Sequence, residues 1–184
     1  MIAKMEASHE GAVKRRFHAW KNLIESNITH SEQNKLKITN DFFNQFDHFE
    51  DADIQGKEDH WDTPEEFIVK RGGDCEDFAI SKYFTLIALG IPVEKLRITY
   101  VKALKYNKAH MVLTYYSQPE SDPLVLDSLT LKIFPASKRT DLLPIYSFNG
   151  EGLWLAKTKK RDRLIGGSLG LTKWRDLMNR MTKR

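Results

Sequence analysis

Residues 72–79, Gly72-Gly73-Asp74-Cys75-Glu76-Asp77-Phe78-Ala79, place the chain's only cysteine where a loop turns into a helix, ringed by carboxylates. Backbone N–H groups at a helix N-terminus stabilise an anion and lower a thiol's pKa, so Cys75 reads as a reactive sulfur. The alternative is a small buried hydrophobe, the common fate of a free cysteine. The spacing of the partners weighs against it. His110 follows 35 residues later and Asp127 another 17, each in a strand-like segment. A nucleophile, a base and a carboxylate to orient the base are all present.

Working outward, Thr63-Pro64-Glu65-Glu66 is a helix start, with Thr63 as N-cap, Pro64 at the first helical position and Glu66 placed to close a capping box. Gly72-Gly73 is expected to end that helix. The next opens around Cys75 and runs through Phe78, Ala79, Phe84, Leu86 and Ile87 to Gly90, where Pro92 blocks continuation. Further upstream, Val13, Phe17, Trp20 and Ile24 fall at helical spacing. Phe42, Phe43, Phe46 and Phe49 repeat the pattern, so two amphipathic helices are expected in the first fifty residues.

Downstream the texture changes to short β-branched and aromatic runs at 96–101, 110–116 and 124–127, which read as strands. Turn residues at 105–108 and 117–123 connect them, so an antiparallel meander is the economical topology, and His110 can meet Asp127 if the register allows. Asn149-Gly150 marks another turn. Helices first and strands after give an α+β domain. A single domain over 1–184 is expected, with its core at about 15–155 and a basic segment at 157–184 in which Trp174, Leu177, Met178 and Met181 give a helical apolar side.

The 184 residues are 41% hydrophobic, enough for an ordinary core. The net charge of +4 is uneven: residues 157–184 carry ten Lys/Arg against two Asp, leaving the body mildly acidic. No aromatic-interleaved or groove-reading motif accompanies the basic segment, so a solvated face is expected and nucleic acid is not. No apolar run is long enough to span a membrane. One cysteine forms no internal disulfide, and the first residues lack a signal-peptide apolar region. Sequence physics thus leaves open a cytosolic protein or a mature form whose leader was trimmed.

The ordered set of motifs carries a resemblance. Gly73–Ala79, Leu89-Gly90-Ile91-Pro92, His60-Trp61-Asp62-Thr63-Pro64-Glu65-Glu66-Phe67, Tyr100-Val101-Lys102, His110-Met111-Val112-Leu113, Leu124–Leu129, Pro144–Asn149 and Trp174-Arg175-Asp176-Leu177 together resemble the bacterial transglutaminase-like cysteine proteinases of the LapG type. The resemblance implies a transglutaminase/papain-like fold and a periplasmic endopeptidase. Such an enzyme clips the N-terminal region of a large surface adhesin, releases cells from biofilm, and is controlled by an inner-membrane cyclic di-GMP receptor of the LapD type. It also implies Cys75 as nucleophile, His110 as base and then acid, and Asp127 as orienter.

Asp74, Glu76 and Asp77 favour a helix N-terminus through its dipole, yet three negative charges beside a sulfur oppose thiolate formation. A bound divalent cation resolves the conflict. Hard oxygen ligands select Ca²⁺ or Mg²⁺, an irregular cluster suits Ca²⁺ better, and the resembling family uses calcium here, so Asp74, Glu76 and Asp77 are expected to hold Ca²⁺. Trp61 is either an oxyanion donor or cleft wall, or a packing residue at a helix entry. Acyl transfer or amidase chemistry by the same thioester route, and a non-catalytic calcium-binding module, are the competing functions. A zinc site from Cys75, His110 and Asp127 is disfavoured by its ligand set.

Overall fold

The computed structural model describes residues 2–49, 60–156 and 162–182. Part of the basic segment, 157–161 and 183–184, lies outside the described residues.

Two helices, α1 (Ile2–Asn27) and α2 (Glu32–Phe43), open the chain. α1 carries Val13, Phe17, Trp20 and Ile24 as the spacing predicts. α2 stops at Phe43, so Phe46 and Phe49 follow it rather than extend it. The aromatic repeat serves packing all the same: Phe43, Phe67, Ile68 and Phe78 form a buried cluster with Phe17, Trp20, Phe42 and Phe46 against it.

α3 (Pro64–Lys70) begins with the expected capping box. Thr63 Oγ1 accepts from the Glu66 N–H at 3.2 Å, and Glu66 Oε2 accepts from the Thr63 N–H at 2.8 Å. The helix is closed by Arg71 in the left-handed region, not by glycine (φ 68°). Gly72-Gly73 instead form β2 (Gly72–Gly73), paired in parallel with β1 (Asp47–His48). The close approach requires glycine: a Cβ on Gly72 would lie 1.9 Å from the Asp47 carbonyl oxygen. α4 (Cys75–Ala88) follows at once, so the strand pair delivers Cys75 to the helix's first position.

The remaining chain builds a seven-stranded antiparallel sheet: β3 (Leu96–Ala103), β4 (Lys108–Tyr115), β5 (Leu124–Leu126), β6 (Phe134–Pro135), β7 (Leu142–Phe148), β8 (Leu153–Leu155) and β9 (Arg163–Gly166). Their order is β6-β5-β4-β3-β7-β8-β9. The expected meander holds from β3 to β6; the chain then crosses to the free edge of β3 and runs a second meander, β7 to β9. Asn149 is fully buried and organises the β7–β8 turn. Its Oδ1 accepts from the N–H groups of Glu151 (2.8 Å) and Gly152 (3.1 Å), while Nδ2 donates to the carbonyls of Val93 and Leu96.

Alternation along β4 sends Met111, Leu113 and Tyr115 into the main core with α4, and Val112 to a second cluster with Val101 and Val125. α5 (Thr172–Thr182) docks onto the main core through Trp174 and Leu177, both buried. The Trp174 ring stacks on Phe84 (5.7 Å) and meets Phe148 edge-on (5.2 Å). The result is α+β, helices packed on an antiparallel sheet. No described helix is long and apolar enough to cross a membrane.

Candidate active site

A cavity of about 370 Å³ at the N-terminus of α4 is lined by Trp61, Cys75, Glu76, Tyr100, His110 and Lys173, among others. Cys75 stands at the first position of α4, and His110 on β4, facing the same space. A larger cavity of about 560 Å³ lies along β3, β4 and β7 and includes neither Cys75 nor His110. The smaller one is the candidate active site, because Cys75 and His110 both line it.

His110 is buried, and its Nε2 lies 2.8 Å from Asp127 Oδ1. The pair forms although the two residues are not directly opposed. β4 and β5 run in a register that sets Leu113 against Leu126, and Asp127 follows the end of its strand. Asp127 is held from several sides. Oδ1 accepts from the Leu129 N–H (3.0 Å), Oδ2 accepts from Arg139 Nη2 (2.7 Å), and Arg139 is braced in turn by Asp141. Burial pushes this carboxyl's pKa up, but the His110, Leu129 and Arg139 contacts outweigh it and hold Asp127 below the usual carboxylate range. An ionised carboxylate only accepts, so Nε2 of His110 donates to it. In the neutral ring, Nδ1 is then the free base.

Beneath Asp127 sits Lys82, fully buried. Its ammonium donates to Asn40 Oδ1 (2.9 Å), Asn44 Oδ1 (2.7 Å) and the Asp127 carbonyl (3.1 Å), matching three donors to three acceptors. Asn44 Nδ2 donates to the same carbonyl at 2.9 Å. α2 and α4 are thereby tied to the turn carrying Asp127. Arg139, Lys82, Asn40 and Asn44 are absent from the sequence reading. No local motif marks them, and only the fold brings them to Asp127.

Burial lowers the Lys82 pKa to about 7, with the Asp127 charge opposing. Between about 7 and the ordinary lysine value of 10.5 the unfolded chain binds a proton that the folded chain releases, so this residue makes stability rise with pH across that window; the cost of its buried charge is fully present below about 7. Urea unfolding of wild type and Lys82→Met across the window should show a steeper rise in wild type. Parallel curves would deny Lys82 a depressed pKa.

The thiol is less favourably placed. Cys75 Sγ lies 3.2 Å from Glu76 Oε2, to which it donates, and the sulfur accepts from the Met111 N–H. Burial first, then the Glu76 charge and hydrogen bond, raise the thiol's pKa well above its ordinary value, with Asp74 adding to the rise. The opposition between carboxylates and thiolate foreseen from sequence is therefore present in the fold.

Asp77 points inward. Oδ1 accepts from the Asp62 N–H at 2.7 Å and Oδ2 from the Asp74 N–H at 3.4 Å, fastening the Trp61–Thr63 segment to the first turn of α4. Burial first, and then the neighbouring Asp62 charge, push its pKa up. Among the described residues, the trio of potential ligands whose donor atoms lie within 4.8 Å of one another is His60, Asp62 and Glu66; the oxygens of Asp74, Glu76 and Asp77 do not converge to that degree. The His60 trio is already engaged by cations, since Lys70 pairs with Asp62 and Arg180 with Glu66.

Trp61 is buried as a cavity wall, stacked on Phe148 at 5.6 Å with the rings 10° from parallel. Tyr100 and Tyr146, stacked at 5.0 Å, line the same cavity. An aromatic enclosure around a thiol and an imidazole–carboxylate pair suits acyl transfer from an extended chain, since it excludes water and strengthens the charges formed during reaction.

The known proteins agree with that chemistry. The family described as bacterial transglutaminase-like cysteine proteinase matches residues 14–156. No curated protein gives a significant match. Among solved structures, Legionella pneumophila LapG in an EGTA-treated form is 50% identical, with a TM-score of 0.85 over 98% of this chain and 97% of that one. Its calcium-bound form is likewise 50% identical, with a TM-score of 0.83 over 98% and 99%. By the extent of the family match and by half-identity over nearly its whole length, the chain belongs to the bacterial transglutaminase-like cysteine proteinases.

Proposed function

We propose that this chain is a calcium-dependent, periplasmic cysteine endopeptidase that cleaves the N-terminal region of a large surface adhesin under control of a cyclic di-GMP receptor of the LapD type. The observation that carries the catalytic reading is the buried His110–Asp127 pair opening onto the same cavity as the only cysteine. In this reading His110 takes the thiol proton on Nδ1 and the Cys75 sulfur attacks the scissile carbonyl carbon. His110 then returns the proton to the leaving amine. Water, deprotonated by the same imidazole, hydrolyses the thioester and restores the thiol. Asp127 keeps Nε2 protonated and stabilises the imidazolium. In this reading the Cys75 N–H at the start of α4 serves as an oxyanion donor, with Trp61 walling the cleft.

Asp74, Glu76 and Asp77 are the residues that would hold calcium. Their chemistry fits, being hard oxygen donors flanking the thiol, and Glu76 sits at the cavity itself. Asp77 retains a lone pair on each oxygen beyond its N–H contacts. When bound, the cation supplies positive charge against Asp74 and Glu76, removing the main electrostatic opposition to a thiolate. A half-identical relative, LapG from Legionella pneumophila, is solved in a calcium-bound form, which supports calcium as the cation.

Mass spectrometry of an adhesin N-terminal fragment incubated with the protein, with and without chelator, tests the whole reading. A single cut in a flexible segment, seen only without chelator, is expected. An intact fragment under both conditions refutes the adhesin assignment, and cleavage unaffected by chelator refutes the calcium requirement.

A further inference from the structure

We infer that the C-terminal helix α5 is part of the substrate cleft and that Arg180 is a positioning residue for it. This rests on the peptidase reading above. The family match ends at residue 156, before α5 begins, yet Leu171, just ahead of α5, and Thr172 and Lys173 in its first turn line the cavity that holds Cys75 and His110. Lys173 Nζ stands 5.9 Å from the centre of the Trp61 ring, so Trp61 and the α5 entry are facing walls of one cleft.

Arg180, near the other end of α5, fastens the two walls together. Its Nη2 donates to the Trp61 carbonyl, and its Nη1 donates to Glu66 Oε2 and to His60 Nε2. Glu66 Oε2 is the oxygen that also closes the α3 capping box. The neighbouring Asp62 N–H runs on to Asp77 in the first turn of α4. One guanidinium thus ties α5, the Trp61–Thr63 segment and the N-terminus of α3 into a frame that reaches the cysteine's own helix turn. The planar fork spans these acceptors with two separate nitrogens, which the single nitrogen of lysine cannot do.

The helix does not depend on Arg180 for its place in the fold. Trp174 and Leu177 are buried in the core, whereas the Arg180 side chain is about one-third exposed. Removing Arg180 should therefore loosen the Trp61 wall while leaving α5 docked. Since Arg180 touches neither the Cys75 sulfur nor the His110 imidazole, its loss should weaken substrate binding more than it alters chemistry.

The test is steady-state cleavage of an adhesin-derived fragment, in calcium, by wild type, Arg180→Ala and Arg180→Lys, beside iodoacetamide alkylation of Cys75, which needs no substrate cleft. Arg180→Ala should raise KM about tenfold with kcat changed less than about threefold, Arg180→Lys should fall between, and the alkylation rate should match wild type. Unchanged KM in Arg180→Ala overturns the inference, as does an alkylation rate that falls with activity, because the defect would then lie in the nucleophile. Failure of wild type itself to cleave would count against the peptidase reading, so the two failures are separable. If Arg180→Ala does not fold, Glu66→Gln, which keeps an acceptor for the Thr63 N–H but weakens the Arg180 contact, should show a smaller KM rise, and no rise would overturn the inference.

Discussion

Cleavage by the Cys75→Ala variant should fall by about 10⁶, to the level of background hydrolysis, while its thermal midpoint stays within a few degrees of wild type. The loss is total because no other thiol exists in the chain to replace the nucleophile. The fold tolerates the change because alanine keeps the Cβ at the first position of α4 and gives up only one sulfur, with its contacts to Glu76 and the Met111 N–H. His110→Ala should be comparably severe, and the double variant no worse than either single one, since the two groups act as a unit. Asp127→Asn keeps the shape but turns one carboxylate oxygen into an amide donor; with Arg139 claiming the remaining oxygen, the NH2 group faces His110 and imposes the wrong tautomer, with an expected loss on the order of 10²–10⁴. Appreciable cleavage by purified Cys75→Ala protein would end the nucleophile assignment. A double variant much slower than both singles would show that sulfur and imidazole act independently.

Withdrawing calcium is the second large effect. Chelation should silence the peptidase and added Ca²⁺ restore it, whereas Mg²⁺ should rescue poorly because it demands octahedral geometry and dehydrates reluctantly. The structure sharpens the expectation at the sulfur. With Glu76 accepting from the thiol and Asp74 adding like charge, Cys75 is a poor nucleophile. Alkylation by iodoacetamide should therefore accelerate when calcium is added. Glu76→Ala should lose both cleavage and calcium-dependent thermal stabilisation, yet in chelator its cysteine should be alkylated faster than the wild-type one, because the opposing carboxylate is gone. Calorimetry without any calcium binding, together with full activity in chelator, would leave the three carboxylates as helix-dipole partners and return the enzyme to metal-free thiol chemistry.

Much of the molecule was legible in local sequence because its signals act over a few residues. The capping box of Thr63 and Glu66, the Pro64 start of α3 and the Gly90–Pro92 stop of α4 are short-range backbone chemistry, and each stands where the residues indicate. The strand segments around β3, β4 and β5 followed from β-branched and aromatic composition, and the helical apolar side of α5 from its spacing. What a nearest-neighbour reading cannot contain is long-range pairing. The Gly72-Gly73 pair reads as a helix stop, but its partner is Asp47-His48, 25 residues away, and that contact turns it into a strand. The second meander β7–β9 joins the far edge of β3, a choice made by long-range strand pairing and not by local propensity.

The site divides along the same line. Cysteine, histidine and aspartate, with the carboxylates beside the thiol, stand out by residue type and order. Arg139, Lys82 and Asn44 do not, because an arginine, a lysine or an asparagine in isolation reads as a surface residue. Only the packing of α2 and α4 against the Asp127 turn buries Lys82 completely, and only the crossing from β6 to β7 carries Arg139 to the carboxylate. Sequence by itself singled out the cysteine, histidine and aspartate as the candidates for the chemistry and the helix start that presents the sulfur. Tertiary structure decided what holds those groups in place, since a buried charge is tolerable only where distant parts of the chain bring it partners.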